Sequence, residues 1–187
     1  MKLALLASHN GSAFDAIYSA IANKELVTVE LALVISNNTN AKILQKAEAY
    51  NIESKLINVN THMNADEELF ITLQQKNIDI IFLAGYMKKI SPKITQNFKI
   101  INSHPALLPK FGGAGMYGRY VHEAVIASGE TLSGVTIHEV NENYDEGAII
   151  LQKALLLDEN ETVESLEQRI KVLEKTAIIE GLAKCLS

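Results

Sequence analysis

Asn102 and His104 stand two apart in the run Asn102-Ser103-His104-Pro105-Ala106-Leu107-Leu108-Pro109, directly after the apolar pair Ile100-Ile101. Alternate side chains of a strand share a face, so this carboxamide and imidazole would project together. Pro105 pushes the residue before it into extended geometry and fixes where the imidazole points. The pair sets a hydrogen-bond donor beside a group that titrates at about 6.5. That suits a reaction in which negative charge grows on an oxygen while a proton is moved. A lone histidine would read as a hydrogen-bonded strand end. An Asn-x-His with prolines on either side of a Leu-Leu turn favours function.

Two other stretches carry chemically useful types. Thr136-Ile137-His138 places Thr136 and His138 on one face of a strand, and Asp145 follows in a polar loop closed by Gly147. A carboxylate there can orient and charge a nearby imidazole. By composition alone it is a solvated acidic turn, and only the company of Asn102 and His104 raises it. Ser8-His9-Asn10-Gly11-Ser12 lies between an apolar strand and a helical pattern. A glycine-bearing turn that opens a helix offers backbone N–H groups and the positive end of the helix dipole to a phosphate. It fits equally an ordinary turn with Ser12 or Asn10 as N-cap. It matches neither G-x-G-x-x-G nor a G-K-[ST] loop, and Ser36-Asn37-Asn38 supplies no carboxylate for a ribose. His62 and His122 sit in polar contexts and read as surface, as do Glu67 and Glu68 on a helix. No H-E-x-x-H or paired ligand spacing occurs, so no metal site is expected, and there is no G-x-S-x-G serine elbow.

These groups need a scaffold, and the apolar pattern supplies one. Strand-like runs at Leu3–Ala7, Val27–Ser36, Ser54–Val59 and Asp79–Gly85 alternate with helical patterns at Ser12–Asn23, Asn40–Tyr50 and Ala65–Lys76. Such alternation implies βαβ units and a parallel sheet with helices on both faces. Lys99–Ser103, Leu132–Val140 and Ala148–Leu157 read as three more strands, Tyr120–Ser128 as a helix, and Glu161–Leu186 as a long closing helix. The expected fold is therefore α/β: three layers, with a mostly parallel twisted sheet of about seven strands. At 187 residues, 48 % hydrophobic and 21 % charged, the chain has the length and composition of one globular domain. Lys plus Arg is 17 against 22 Asp plus Glu, a net charge of −5. An acidic chain without a basic run is a poor partner for nucleic acid. No apolar run approaches the ~20 residues of a membrane span. Cys185 is the one cysteine, which excludes a disulfide framework. The cytoplasm is the expected location. The chain is expected to act as a monomer or homodimer.

Taken together, Leu83-Ala84-Gly85-Tyr86-Met87 through Ile90-Ser91-Pro92, the Asn102–Pro109 run, and His138 with Asp145-Glu146-Gly147 resemble the folate-dependent formyltransferases. The resemblance covers nearly the whole chain. It implies one formyltransferase domain over 1–187. Residues 1–100 would form a Rossmann-like half that binds the ribonucleotide phosphate, and 101–187 a catalytic and folate-binding half. It implies formyl transfer from 10-formyltetrahydrofolate, as co-substrate and without a metal, to the amine of glycinamide ribonucleotide, the third step of de novo purine synthesis. By position, Asn102, His104 and Asp145 match the catalytic trio. Asn10, Gly11, Ser12 and Glu174 match ribonucleotide-binding positions. Tyr86, Met87, Lys88, Lys89, Ile90 and Asn102 match folate-binding ones.

The chain also departs from the family pattern. His9 stands where glycine is usual and Ala13 where asparagine is usual. Lys88 replaces an arginine of the folate segment, and a family arginine that meets the folate tail aligns near His62. The usual short loop with two histidines is replaced by the glycine-rich Phe111–Arg119, which is expected to move when substrate binds. Glu174-Lys175 replaces a Glu-His pair. Alternative readings are a sister formyltransferase, a formyltetrahydrofolate hydrolase or, more remotely, a non-catalytic nucleotide-binding domain. The methionyl-tRNA and hydrolase forms are expected to carry an extra domain at one end or the other, and the acidic charge argues against the first.

Overall fold

A computed structural model describes residues 1–186, with side chains through residue 185. Among the described residues, seven strands and six helices follow in the order β1 (Lys2–Leu6), α1 (Ser12–Ala22), β2 (Glu30–Ser36), α2 (Lys42–Ala49), β3 (Ser54–Leu56), α3 (Ala65–Gln75), β4 (Ile80–Leu83), α4 (Pro92–Thr95), β5 (Lys99–His104), α5 (Arg119–Ala127), β6 (Leu132–Glu139), β7 (Ile149–Leu156) and α6 (Val163–Leu186), alternating up to β6. The strands lie in the order β3-β2-β1-β4-β5-β6-β7. This is the mostly parallel α/β sheet that the alternation predicts. The chain divides into two compact units, one of Met1–Ile101 and one from Asn102 onward.

In the first unit, β1 pairs in parallel with both β2 and β4, and β2 with β3. Leu3 to Leu6 and Ile80 to Phe82 are essentially inaccessible, as expected of strands covered on both faces. Phe14 and Ile17 of α1 are fully buried, and the Phe14, Tyr18 and Tyr50 rings cluster. The Asn64 side chain caps α3 by accepting from the Glu67 N–H at 3.1 Å. The second strand starts at Glu30 rather than Val27. The N–H groups of Glu25 and Leu26 turn back onto the Ala20 carbonyl to close α1. That closure buries Leu26 and leaves Val27 78 % exposed. The third strand stops at Leu56, because the Asn58 side chain accepts from the Asn60 and Thr61 N–H groups and turns the chain.

In the second unit, β6 and β7 form an antiparallel pair whose register shifts between Ile137 and His138. Helix α6 packs on both strands and on α5. Leu166, Ile170, Ala177, Ile178 and Leu182 form its buried stripe. Gly181 lets the helix approach closely, since a Cβ there would lie 2.7 Å from Ile137 Cγ2. No helix among the described residues is long and apolar enough to cross a membrane.

Candidate active site

The carboxyl end of β5 carries Asn102 and His104 on one face, and the turn after it is clamped from β6. Thr136 is fully buried. Its hydroxyl donates to the Ala106 carbonyl at 2.6 Å and accepts from the Leu108 N–H at 3.0 Å. The Gln152 amide of β7 donates to that same hydroxyl and to the Leu108 carbonyl, at 3.0 and 2.9 Å. Two strands, β6 and β7, thus fix the Pro105–Pro109 turn, and with it the direction of His104. The Leu108–Pro109 peptide is cis.

Asp145 arrives from the β6–β7 connection. Its backbone has φ of +58°, a left-handed conformation that aspartate tolerates better than most residues. A Cβ on the nearby Gly147 would run into the Glu139 carbonyl, so only glycine lets the connection close. The carboxylate Oδ2 lies 3.6 Å from His104 Nδ1 and accepts the Gly113 N–H at 2.9 Å. Its Oδ1 lies 3.5 Å from His138 Nε2. A single carboxylate therefore faces two imidazoles.

The carbonyl partners settle the imidazole protons, since a carbonyl only accepts. His104 Nε2 donates to the Phe111 carbonyl at 2.8 Å, and His138 Nδ1 to the Glu139 carbonyl at 2.8 Å. His104 and His138 are 3 % and 1 % exposed, and burial pushes both below the ordinary imidazole value. Asp145 pulls each upward but does not outweigh burial. Neutral His138 thus turns a lone pair at Nε2 toward Asn102, whose amide donates to it at 3.2 Å. That leaves the second amide N–H of Asn102 for another acceptor. Proximity to Asp145 alone does not make His104 an imidazolium at rest.

Of the residues singled out from the sequence, Asn102, His104 and Asp145 meet in this second unit, with His138 as the link. Glu174 lies on α6, where its carboxylate accepts from Ser103 Oγ at 2.7 Å. The bracing roles of His138, Thr136 and Gln152 were not readable in advance. The alternation that places Thr136 and His138 on one face was the available signal. His122 departs from its surface reading: it is 4 % exposed, and its Nδ1 has no hydrogen-bond partner among the described residues. It lies on the face of α5 that carries the buried Val121 and Val125, and polar neighbours in sequence concealed that face.

In the first unit, the N-cap of α1 is Gly11 rather than Ser12 or Asn10. Its φ is +57°, and no side chain among the described residues caps the helix. A Cβ there would lie 2.8 Å from Ile43 Cγ1, so a side chain is excluded by space as well as by conformation. Asn10 and Ser12 are exposed beside it. The Ser8 hydroxyl donates to the Asn37 side-chain oxygen at 2.6 Å and accepts the Met87 N–H at 2.7 Å. This ties the first loop to the segment after β4, in which Met87, Lys88 and Lys89 are exposed, Tyr86 is half-buried and Ile90 is buried. Burial pushes the Tyr86 phenol up to about 12. A polar cleft of about 340 Å³ opens there, lined by residues including Ser8, His9, Asn37, Asn38, Asn58 and Met87. Among the described residues, no group of three or more His, Cys, Asp or Glu side chains is placed to hold a metal ion.

The chain is similar to known proteins over nearly its whole length. The formyl transferase family matches residues 1–182. Phosphoribosylglycinamide formyltransferase of Bacillus subtilis is 36 % identical over 178 residues, 92 % of this chain and 88 % of that protein. The Haemophilus influenzae protein of the same name is 35 % identical over 92 % of this chain and 81 % of its own length. The crystal structure of phosphoribosylglycinamide formyltransferase from Bacillus halodurans superposes with a TM-score of 0.90 at 31 % identity, covering all of this chain and 96 % of that one. With that breadth of similarity, and with the Asn102, His104 and Asp145 side chains gathered as described, this chain belongs to the formyl transferase family, among the phosphoribosylglycinamide formyltransferases.

Proposed function

We propose that this protein transfers the formyl group of 10-formyltetrahydrofolate to the amine of glycinamide ribonucleotide, the third step of de novo purine synthesis. The observation that carries the reading is Asp145 between two buried imidazoles, with the Asn102 amide oriented by one of them. The ribonucleotide amine attacks the formyl carbon and forms a C–N bond, and the carbonyl oxygen becomes anionic. The free N–H of Asn102 donates to that oxygen. With the Phe111 carbonyl withdrawn and its resting proton moved from Nε2 to Nδ1 beside Asp145, His104 takes the proton lost from the amine at Nε2, because the growing negative charge adds to that of Asp145 and favours the imidazolium. In that form it too donates to the oxyanion, a contact that is strong only after attack. Collapse breaks the bond to the folate nitrogen, and the proton passes from His104 to that nitrogen. For His104 Nε2 to take part, the Phe111 carbonyl has to withdraw, and the glycines of 112–118 give that segment the freedom to shift.

The remaining roles follow the same reading. The uncapped first turn of α1, with Asn10, Gly11 and Ser12, receives the ribonucleotide phosphate. Glu174 accepts a hydrogen bond from the ribonucleotide. Tyr86, Met87, Lys88, Lys89 and Ile90, together with Asn102, bind the folate, largely through backbone groups. Residues 1–100 act as the phosphate-binding half, and 101–187 as the catalytic and folate-binding half. The protein works in the cytoplasm on small molecules, without metal, membrane or nucleic acid, as a monomer or homodimer. The test is incubation of purified protein with 10-formyltetrahydrofolate, with and without glycinamide ribonucleotide. Deformylation that requires the ribonucleotide is expected. Deformylation in its absence would indicate a hydrolase, and no turnover at all would overturn the proposal.

A further inference from the structure

Glu174 occupies an unusual place on α6. It lies one turn from both Ile170 and Ile178 on the helix face that also buries Leu166, Ala177 and Leu182. A carboxylate on an apolar stripe is unfavourable there unless something stabilises its charge. Burial accordingly pushes its pKa up, against the pull of the Ser103 hydrogen bond and the Lys171 charge. Ser103 Oγ donates to Oε1 at 2.7 Å. Among the described residues no other hydrogen bond reaches this carboxylate, so Oε2 keeps its acceptor capacity. Ser103 sits between Asn102 and His104, and alternation turns it to the opposite face of the strand. One strand end therefore presents the oxyanion donors on one side and secures Glu174 on the other.

We propose that Ser103 is a positioning residue for the ribonucleotide: its hydroxyl holds the Glu174 carboxylate so that Oε2 can accept a hydrogen bond from that substrate. The inference rests on the functional reading above, in which Glu174 meets the ribonucleotide. Without the hydroxyl, the carboxylate either takes up a proton or swings toward water, and both outcomes remove the acceptor. The consequence falls on ribonucleotide binding and leaves the chemistry at Asn102, His104 and Asp145 intact.

The experiment is steady-state kinetics with both substrates on wild type, Ser103→Ala, Ser103→Thr, Glu174→Gln and the Ser103→Ala/Glu174→Gln double variant. Ser103→Ala is expected to raise KM for glycinamide ribonucleotide roughly tenfold, the loss typical of one hydrogen bond to a charged group. Its kcat and its KM for the formyl donor should stay within about twofold. Ser103→Thr keeps the hydroxyl and should restore most of the affinity. In the Glu174→Gln background the alanine should add little, because its target is already changed. An unchanged ribonucleotide KM, a fall in kcat instead, or an equal penalty in both backgrounds would overturn the proposal. A ¹³C titration of the Glu174 carboxyl is the readout independent of turnover: its midpoint should rise in Ser103→Ala and return in Ser103→Thr. If wild type fails to use the ribonucleotide while that midpoint moves, the functional reading fails and the positioning contact stands; a midpoint that does not move overturns the contact.

Discussion

Replacing Asp145 by asparagine removes one negative charge and keeps the shape of the side chain, so it isolates the electrostatic part of the site. The carboxylate lies 3.6 Å from His104 Nδ1. Between unit charges at that distance the attraction is about 1 kcal/mol in water and about 4–5 kcal/mol at an effective dielectric of ~20. The Asp145 and His104 side chains are 12 % and 4 % exposed, so the interaction sits well above the aqueous limit. With about 1.36 kcal/mol per tenfold in rate, a loss near 3 kcal/mol lowers kcat by about 10²–10³. An asparagine can still turn its carbonyl oxygen to the Gly113 N–H, which is 2.9 Å away in the parent, so the fold should persist. The assay is single-turnover formyl transfer at saturating substrates, which separates chemistry from binding, with a thermal melt to confirm folding. A folded Asp145→Asn protein that reacts within about threefold of wild type would falsify the assignment, because a charge of that proximity and burial cannot be kinetically silent if the imidazolium forms.

Two further outcomes concern stability. Thr136→Val keeps volume but strips the hydroxyl that serves Ala106, Leu108 and Gln152. Leaving those buried groups unpaired should cost about 2–4 kcal/mol and lower Tm by roughly 5–15 °C, and a shift below about 2 °C in a differential scan would contradict the clamp. His104, His122 and His138 all have folded pKa values below the unfolded value of about 6.5, chiefly through burial. Between those folded values and about 6.5 the unfolded chain binds more protons, so their contribution is fully present above about 6.5 and is lost as pH falls through that window. Burial raises Glu174, which therefore acts with the opposite sign as pH climbs above its unfolded value of about 4.3. Urea midpoints should drop between pH 7.5 and 5.5, and His122→Asn should flatten that slope. An identical slope in the variant would exclude His122 as a contributor.

The sheet was legible because its strands are written in runs that only double-sided burial explains. Ile80 to Leu83 has no polar position, and Leu3 to Leu6 likewise. Strand ends were less legible: Val27 and Val29 alternate as a strand would, yet the backbone closure of α1 takes that segment first. At the site, Asn102 and His104 were readable from period-two spacing and the following proline. The place of Asp145 beside His104 was readable only through the family resemblance. Nothing local in Tyr144-Asp145-Glu146 distinguishes the inward carboxylate from the exposed one. That choice comes from the left-handed backbone at Asp145 and from Gly147 closing against Glu139, both products of the β6–β7 pairing.

His104 shows most clearly what a residue list omits. Asn-x-His beside an aspartate suggests a charged imidazole, yet three-dimensional burial sets the opposite direction at rest. The two influences do not simply cancel. Enclosure depresses the charged form, but it also removes the water that would screen Asp145 and any second anion. A charge arriving on the formyl oxygen therefore acts on His104 more strongly here than it would at an open surface. The imidazole is neutral when a proton must be accepted and becomes cationic as the oxyanion forms. His138 is equally buried and faces the same carboxylate, but its Nδ1 is spent on the Glu139 carbonyl and its Nε2 on Asn102. Charging it would cost the Asn102 contact and add repulsion with His104, so the proton is directed to one histidine of the pair. The asymmetry between two chemically identical side chains arises from which backbone carbonyl each one meets and from where the Asn102 amide lies.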